Sequence, residues 1–211
     1  LAVTKRKDMS MQILEKMFGG ASRVKMMKLF VFNPEEVFEK EDVVKKSKVG
    51  LTTVQKELKV LESIGMIKQI SFFKEVALKA GSKKKRVKGY ILNQNFVYLG
   101  HMKGLLMNVG PLQENSLTRR LSRVGKVKLI ITSGIFLQSG DSAVDLLLVA
   151  DDYKDTSVRK AIADLESEIG KEIRYAVFTS ADFKYRMNLY DHLIRDIFDY
   201  PHQILVDKIG I

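Results

Sequence analysis

The chain has no cysteine and no tryptophan, and only three of its 211 residues are proline. Without cysteine there are no disulfides, no thiolate metal ligands and no thiol nucleophile. The three histidines, His101, His192 and His202, stand apart and lack the spacing of a metal site. No apolar run approaches the ~18 residues of a transmembrane helix. The opening Leu1-Ala2-Val3-Thr4-Lys5-Arg6-Lys7 has no apolar stretch of signal-peptide type, so the expected location is cytoplasmic. Neither a Walker-type nor a dinucleotide-binding glycine loop occurs.

What is present is a composition able to fold. Hydrophobic residues make up 45% and charged residues 29%, within the range of globular proteins, and the length suits two modest domains, each with its own core. The formal net charge is +11, and it is unevenly placed. Residues 1–95 carry 21 Lys and Arg against 10 Asp and Glu, whereas residues 96–211 carry 15 of each. A basic module joined to a neutral one points to a polyanion at one end.

The basic half reads as helix, turn, helix and hairpin. Gly19-Gly20 separates a helical pattern over Ser10–Phe18 from a second over Ser22–Phe32, in which Val24, Met27, Leu29 and Val31 alternate with basic residues. Asn33-Pro34 ends that helix, because a residue before proline avoids the helical region. A short polar helix over Lys40–Ser47, with Val43 and Val44 as its buried pair, leads through the turn Lys48-Val49-Gly50 into an amphipathic helix over Leu51–Ile64. Its Leu51, Val54, Leu58 and Leu61 form one apolar stripe, and Gly65 stops it. Met66–Phe73 and Val87–Leu92 read as two strands, leaving Gly81-Ser82-Lys83-Lys84-Lys85-Arg86 in the loop between them.

The segment "VVKKSKVGLTTVQKELKVLESIGMIKQI" resembles the recognition-helix region of winged helix-turn-helix transcription regulators, and the likeness covers about residues 22–95. In such proteins the second helix of the pair enters the major groove. With the Leu51 stripe facing inward, Thr52, Thr53, Gln55, Lys56 and Lys59 are the candidate DNA-facing residues. Gln pairs bidentately with adenine, Thr meets a base or a thymine methyl, and Lys meets guanine or phosphate. Lys83, Lys84, Lys85 and Arg86 of the wing are candidates for sequence-blind phosphate or minor-groove contacts.

The neutral half alternates strands and helices. Asn93–Leu112 is a connector with a helical stretch, and a helix over Ser116–Val124 bears Arg119, Arg120 and Arg123. Strands are expected at Val127–Thr132, Val144–Ala150, Ile173–Phe178 and about Gln203–Val206, with helices at Thr156–Ile169, Ser180–Met187 and Tyr190–Phe198. The wholly apolar second strand predicts burial on both faces. The line "LIITSGIFLQSGDSAVDLLLVADD" resembles the minimal nucleotidyltransferase fold, over about residues 116–206. The ending "IRYAVFTSADFKYRMNLYDHLIRDIFDYPHQIL" also looks like the tail of regulators that join a winged helix to such a domain.

That resemblance implies three carboxylates holding two magnesium ions on a nucleotide. Position by position, the Gly-Ser pair becomes Ser133-Gly134, the first aspartate Ala143 and the second Asp145, while the third falls near Arg174, a cation. Asp141 lies close by in sequence but at the wrong spacing. Asp151-Asp152 reads as a strand-end turn, His192 as structural, and Phe178, Phe183, Tyr185 and Tyr190 as core or interface aromatics.

The expectation is therefore an α+β protein. A winged helix-turn-helix occupies 1–95, a connector 96–115, and an α/β nucleotidyltransferase-like domain without catalytic or metal-binding residues 116–211. Double-stranded DNA and a second copy of the chain are the expected partners, no cofactor and no membrane contact are expected, and any small-molecule effector is left open. The alternatives are an active nucleotidyltransferase carried to its substrate by the winged helix, and a protein-interaction adaptor.

Overall fold

Helices lead the chain because apolar residues recur at helical spacing between glycine and proline breaks. The computed structural model describes residues 12–78, 81–108, 114–137 and 142–211. After a helical stretch α1 over 12–17 come α2 (Ala21–Phe32), α3 (Lys40–Ser47) and α4 (Leu51–Ser63). They are followed by the hairpin strands β1 (Ile67–Leu78) and β2 (Gly81–Leu92), then α5 (Leu99–Asn108) and α6 (Glu114–Leu121). The remaining elements are β3 (Lys126–Ser133), a single 3-10 turn (Gly134–Phe136), β4 (Leu146–Asp151), α7 (Asp155–Ile169), β5 (Tyr175–Phe178), α8 (Ser180–Asn188), α9 (His192–Asp199) and β6 (His202–Asp207).

The chain forms two compact units, one of Leu1–Pro111 with Leu165–Lys171, the other of Leu112–Asp164 with Glu172–Ile211. The first holds N-terminal helices and a wing-like antiparallel hairpin. Its core gathers Val24, Met27 and Phe30 of α2, Val43 of α3, Val54, Leu58 and Leu61 of α4, and Met66, Ile67 and Leu92 at the hairpin base. Burying such side chains contributes roughly 1.5–3 kcal/mol each. Helix α2 is buried almost throughout, so it is the central helix rather than an amphipathic surface one.

The second unit holds a mixed four-stranded sheet in the order β5-β4-β3-β6. β3 pairs antiparallel with β4 and β6, while β4 pairs parallel with β5 across the connection through α7. Parallel neighbours need such a crossover because no tight turn can join them. Leu146 through Ala150 of β4 are all buried, as the apolar run of this strand requires. On one face Leu129, Ile131, Leu147 and Val149 meet Phe183 of α8 and Ile194 and Ile197 of α9.

The structure differs from the sequence reading at the hairpin and at the start of α4. β1 and β2 run on to Leu78 and back from Gly81, so Lys83–Arg86 lie within a paired strand and not in the loop. Register, with Glu75 opposite Lys84 and Lys74 opposite Lys85, is carried past the apolar alternation on which the strand ends were read. Leu51 is 50% exposed and leaves the inward stripe of α4, because it is the first residue of the helix and has no turn before it to cover it. Ser10, at the start of the expected first helix, lies outside the described residues.

Candidate nucleic-acid interface and the Asp145 site

The turn before α4 is built from side-chain hydrogen bonds. Ser47 Oγ donates to the Val43 carbonyl at 2.6 Å and accepts from the Val49 amide at 3.3 Å. Lys48 takes a left-handed conformation, φ 54°, to end α3. At the other end, Gly65 has φ 77°, and the Gly65 amide donates to the Glu62 carbonyl and the Met66 amide to that of Leu61. These two bonds form a Schellman closure, which the positive φ of glycine permits at no steric cost.

With both ends set, α4 turns Val54, Leu58 and Leu61 inward and leaves Thr52, Thr53, Gln55, Lys56 and Lys59 exposed. The positions 52, 55, 56 and 59 recur at three- and four-residue spacing, so they share one stripe. All five candidate residues of the helix are thus presented to solvent together. Glu57 is not on that stripe. It is buried and paired with Arg23 of α2, whose Nε lies 2.5 Å from Oε2. The pair ties α4 to α2, and the signal for it was its spacing, because Glu57 stands three residues after Val54 and four before Leu61, on the inward face.

The hairpin is tied down at its base and along one face. Phe38 exchanges two backbone hydrogen bonds with Tyr90, at 2.9 and 2.8 Å. A Cβ on Gly89 would come within 2.6 Å of Val37 Cγ1 and 2.8 Å of Phe72 Cε1, so glycine there lets both side chains close over the strand. Lys74 donates to Glu39, the N-cap of α3. Beyond these ties Lys84, Lys85 and Arg86 are exposed, while the side chain of Lys83 lies outside the described residues.

Asp145 sits just before β4 and is fully buried. Its Oδ1 accepts from the Ile135 amide at 3.0 Å and from Arg174 Nη2 at 2.9 Å. Its Oδ2 accepts from the Arg174 amide at 2.9 Å and from Arg174 Nε at 3.1 Å. Two carboxylate oxygens offer about four acceptor sites, so these four donors saturate the group. Burial opposes the charged form, but the Arg174 guanidinium and the two amides outweigh it and hold the carboxyl below its ordinary value. A Cβ on Gly134 (φ 51°) would fall 2.0 Å from Asp145 Oδ1, so the turn after β3 is shaped around this carboxylate.

Around it, the hydroxyls of Ser133 and Ser142 both donate to the Val144 carbonyl. Ala143 is exposed, and its amide donates to Asp196 of α9 at 2.8 Å. Asp141 lies outside the described residues. Arg174, read from sequence as a cation in a carboxylate's place, is a direct bidentate partner of Asp145. Among the described residues no group of three or more His, Asp or Glu is disposed to hold a metal ion.

The other candidates fall into ordinary roles. Asp151 accepts from the amide and hydroxyl of Ser180 at the start of α8, and Asp152 (φ 54°) pairs with Lys126 at 2.8 Å. Phe183 is buried, and Phe178 packs against the same core with the Arg186 guanidinium 4.8 Å from its ring centroid. Tyr185 and Tyr190 are largely exposed and so do not belong to the core. His192 opens α9 and is exposed.

Lys28 is a feature that periodicity does not reveal. It is wholly buried in α2, and its ammonium has no hydrogen-bond partner among the described residues. Burial lowers its pKa to about 8, against the opposing pull of the Glu168 and Glu15 carboxylates. Its flanks, Met26-Met27 and Leu29-Phe30, were the available signal, since a lone Lys inside such a run lies on a buried face whichever way the helix turns.

Comparison with protein-family models, with curated proteins and with solved structures finds no match.

Proposed function

We propose that the chain is a cytoplasmic, duplex-DNA-binding transcription regulator. In this reading α3 and α4 are a helix-turn-helix, β1 and β2 its wing, and α4 the helix that enters the major groove. The observation that carries it is the outward side of α4, where the stripe of Thr52, Gln55, Lys56 and Lys59 and the neighbouring Thr53 are exposed in the half of the chain that holds the whole net charge. Lys83, Lys84, Lys85 and Arg86 add backbone contacts that position without specifying.

The second unit, in the same reading, is a nucleotidyltransferase-like domain that does not catalyse and serves dimerisation or ligand sensing. Saturation of Asp145 by four donors supports this, because a carboxylate so occupied has no lone pair left for magnesium. The reading is tested by titrating the full chain with duplex DNA across salt concentrations. Binding that falls steeply with salt supports it, and absence of binding at low salt rejects it.

A further inference from the structure

The hairpin displays two neighbouring phenylalanines to opposite faces, and among the described residues only one has a packing role. Phe72 is half-buried, with its ring over Gly89 and beside the strand held by Phe38. Phe73 faces the other way and is 71% exposed. Among the described residues no ring or cation stacks upon it. Its cross-strand partner is Arg86, and the alternation of the ladder places Lys84 and Lys88 diagonally beside it on the same face. All three cations are exposed. Ser71 lies beyond, opposite Lys88, and Glu75 lies opposite Lys84.

A lone exposed aromatic is ordinary, and a lone basic strand is ordinary. An aromatic ring centred among three cations, on a strand braced from behind, has the chemistry of a nucleic-acid platform. The cations draw phosphates to both sides, and the ring offers an open π-face to a base. We propose that Phe73 is a stacking wedge that enters a base step of duplex DNA from the minor groove, with Lys84, Arg86 and Lys88 on the flanking phosphates. This rests on the duplex-binding reading above and adds to it a mechanism of indirect readout. The wedge kinks the duplex, and selects steps that unstack readily, such as TA and CA, at positions no side chain hydrogen-bonds.

The chain contains no tryptophan, so Phe73→Trp places a single fluorescent reporter at the wedge. The experiment mixes the full chain, as wild type, Phe73→Trp and Phe73→Ala, with duplexes carrying 2-aminopurine at a central TA step and fluorophores at both ends. Wild type is expected to raise the 2-aminopurine emission and shorten the end-to-end distance. The tryptophan of Phe73→Trp should be quenched on binding, as stacking on a base requires. Phe73→Ala should abolish unstacking and bending and weaken binding about 5- to 150-fold, the range of one base–aromatic stack. The slope of log affinity on log salt should be unchanged, because no cation is removed. The exposed ring makes no core contact, so the melting temperature should match the wild type.

Unaltered bending and unstacking by Phe73→Ala, or an unquenched tryptophan in the complex, overturns the wedge while leaving duplex binding intact. A loss of affinity with wild-type bending also overturns it. Failure of the wild type to bind any duplex at low salt instead overturns the reading on which the wedge rests.

Discussion

Lys28 is held in α2 with its ammonium buried and, among the described residues, unpartnered, in a unit whose core is built from Met, Leu, Val, Ile, Phe and Tyr side chains. Its pKa falls from 10.5 in the unfolded chain to about 8 in the fold. Between these values the unfolded chain binds the extra proton, so stability rises with pH across that window, by about 3 kcal/mol in total. Lys28→Met removes the buried charge and keeps the volume. It should raise the unfolding free energy at pH 7, with an advantage that shrinks by about 3 kcal/mol as pH climbs toward 10.5, measured by urea unfolding at several pH values. Asp145 works with the opposite sign. Its carboxyl is held below 3.8, so its contribution is complete above that value and is lost as pH falls further. Arg174→Ala leaves a buried carboxylate with two amides only and should cost about 2–4 kcal/mol at neutral pH, a discount from the fully buried case because the guanidinium is half exposed. The same loss should vanish in Asp145→Asn/Arg174→Ala relative to Asp145→Asn, which a double-mutant cycle reads directly. Sequence placed Arg174 and Asp145 in one site through the resemblance alone. It could not show that they bond, since 29 residues separate them and their meeting depends on strand pairing.

The elements of the first unit were legible wherever local chemistry is strong. Gly65, Ser47 and the Val54, Leu58 and Leu61 spacing define the ends and inner face of α4 without tertiary help. Leu51 departs from the stripe because periodicity counts a residue as inward whether or not the helix has a neighbour at that turn. The wing extends past its apolar alternation for a related reason. Lys83–Arg86 carry no apolar alternation, and the pairing that makes them strand is long-range. The proposed roles of these elements separate experimentally. Gln55→Ala should lose discrimination at one base pair, about 1–3 kcal/mol, with little change in non-specific affinity. Replacement of Lys83, Lys84 and Lys85 by alanine should weaken all sequences alike and reduce the salt slope. Competition binding on matched and scrambled duplexes distinguishes them. If the lysine replacement alone changes sequence preference, α4 is not the reading helix.

At the scale of the whole molecule the charge asymmetry is the feature that sequence alone displayed in full, because charge counts need no knowledge of packing. The residues 1–95 hold the entire surplus, 21 Lys and Arg against 10 Asp and Glu, whereas in residues 96–211 the two signs balance. The neutral second unit carries the saturated Asp145, and the proposal for it predicts no nucleotide transfer. Labelled nucleoside triphosphates with magnesium or manganese should leave no product on the protein or on added nucleic acid, and incorporation that disappears in Asp145→Asn would restore the enzymatic alternative. The central claim, that the basic unit exists to hold duplex DNA, is tested most directly by the affinity of the full chain for a duplex as a function of salt. If five or six phosphates are neutralised, log affinity should fall against log salt with a slope of about −5. A flat response, or no binding at low salt, would contradict the account.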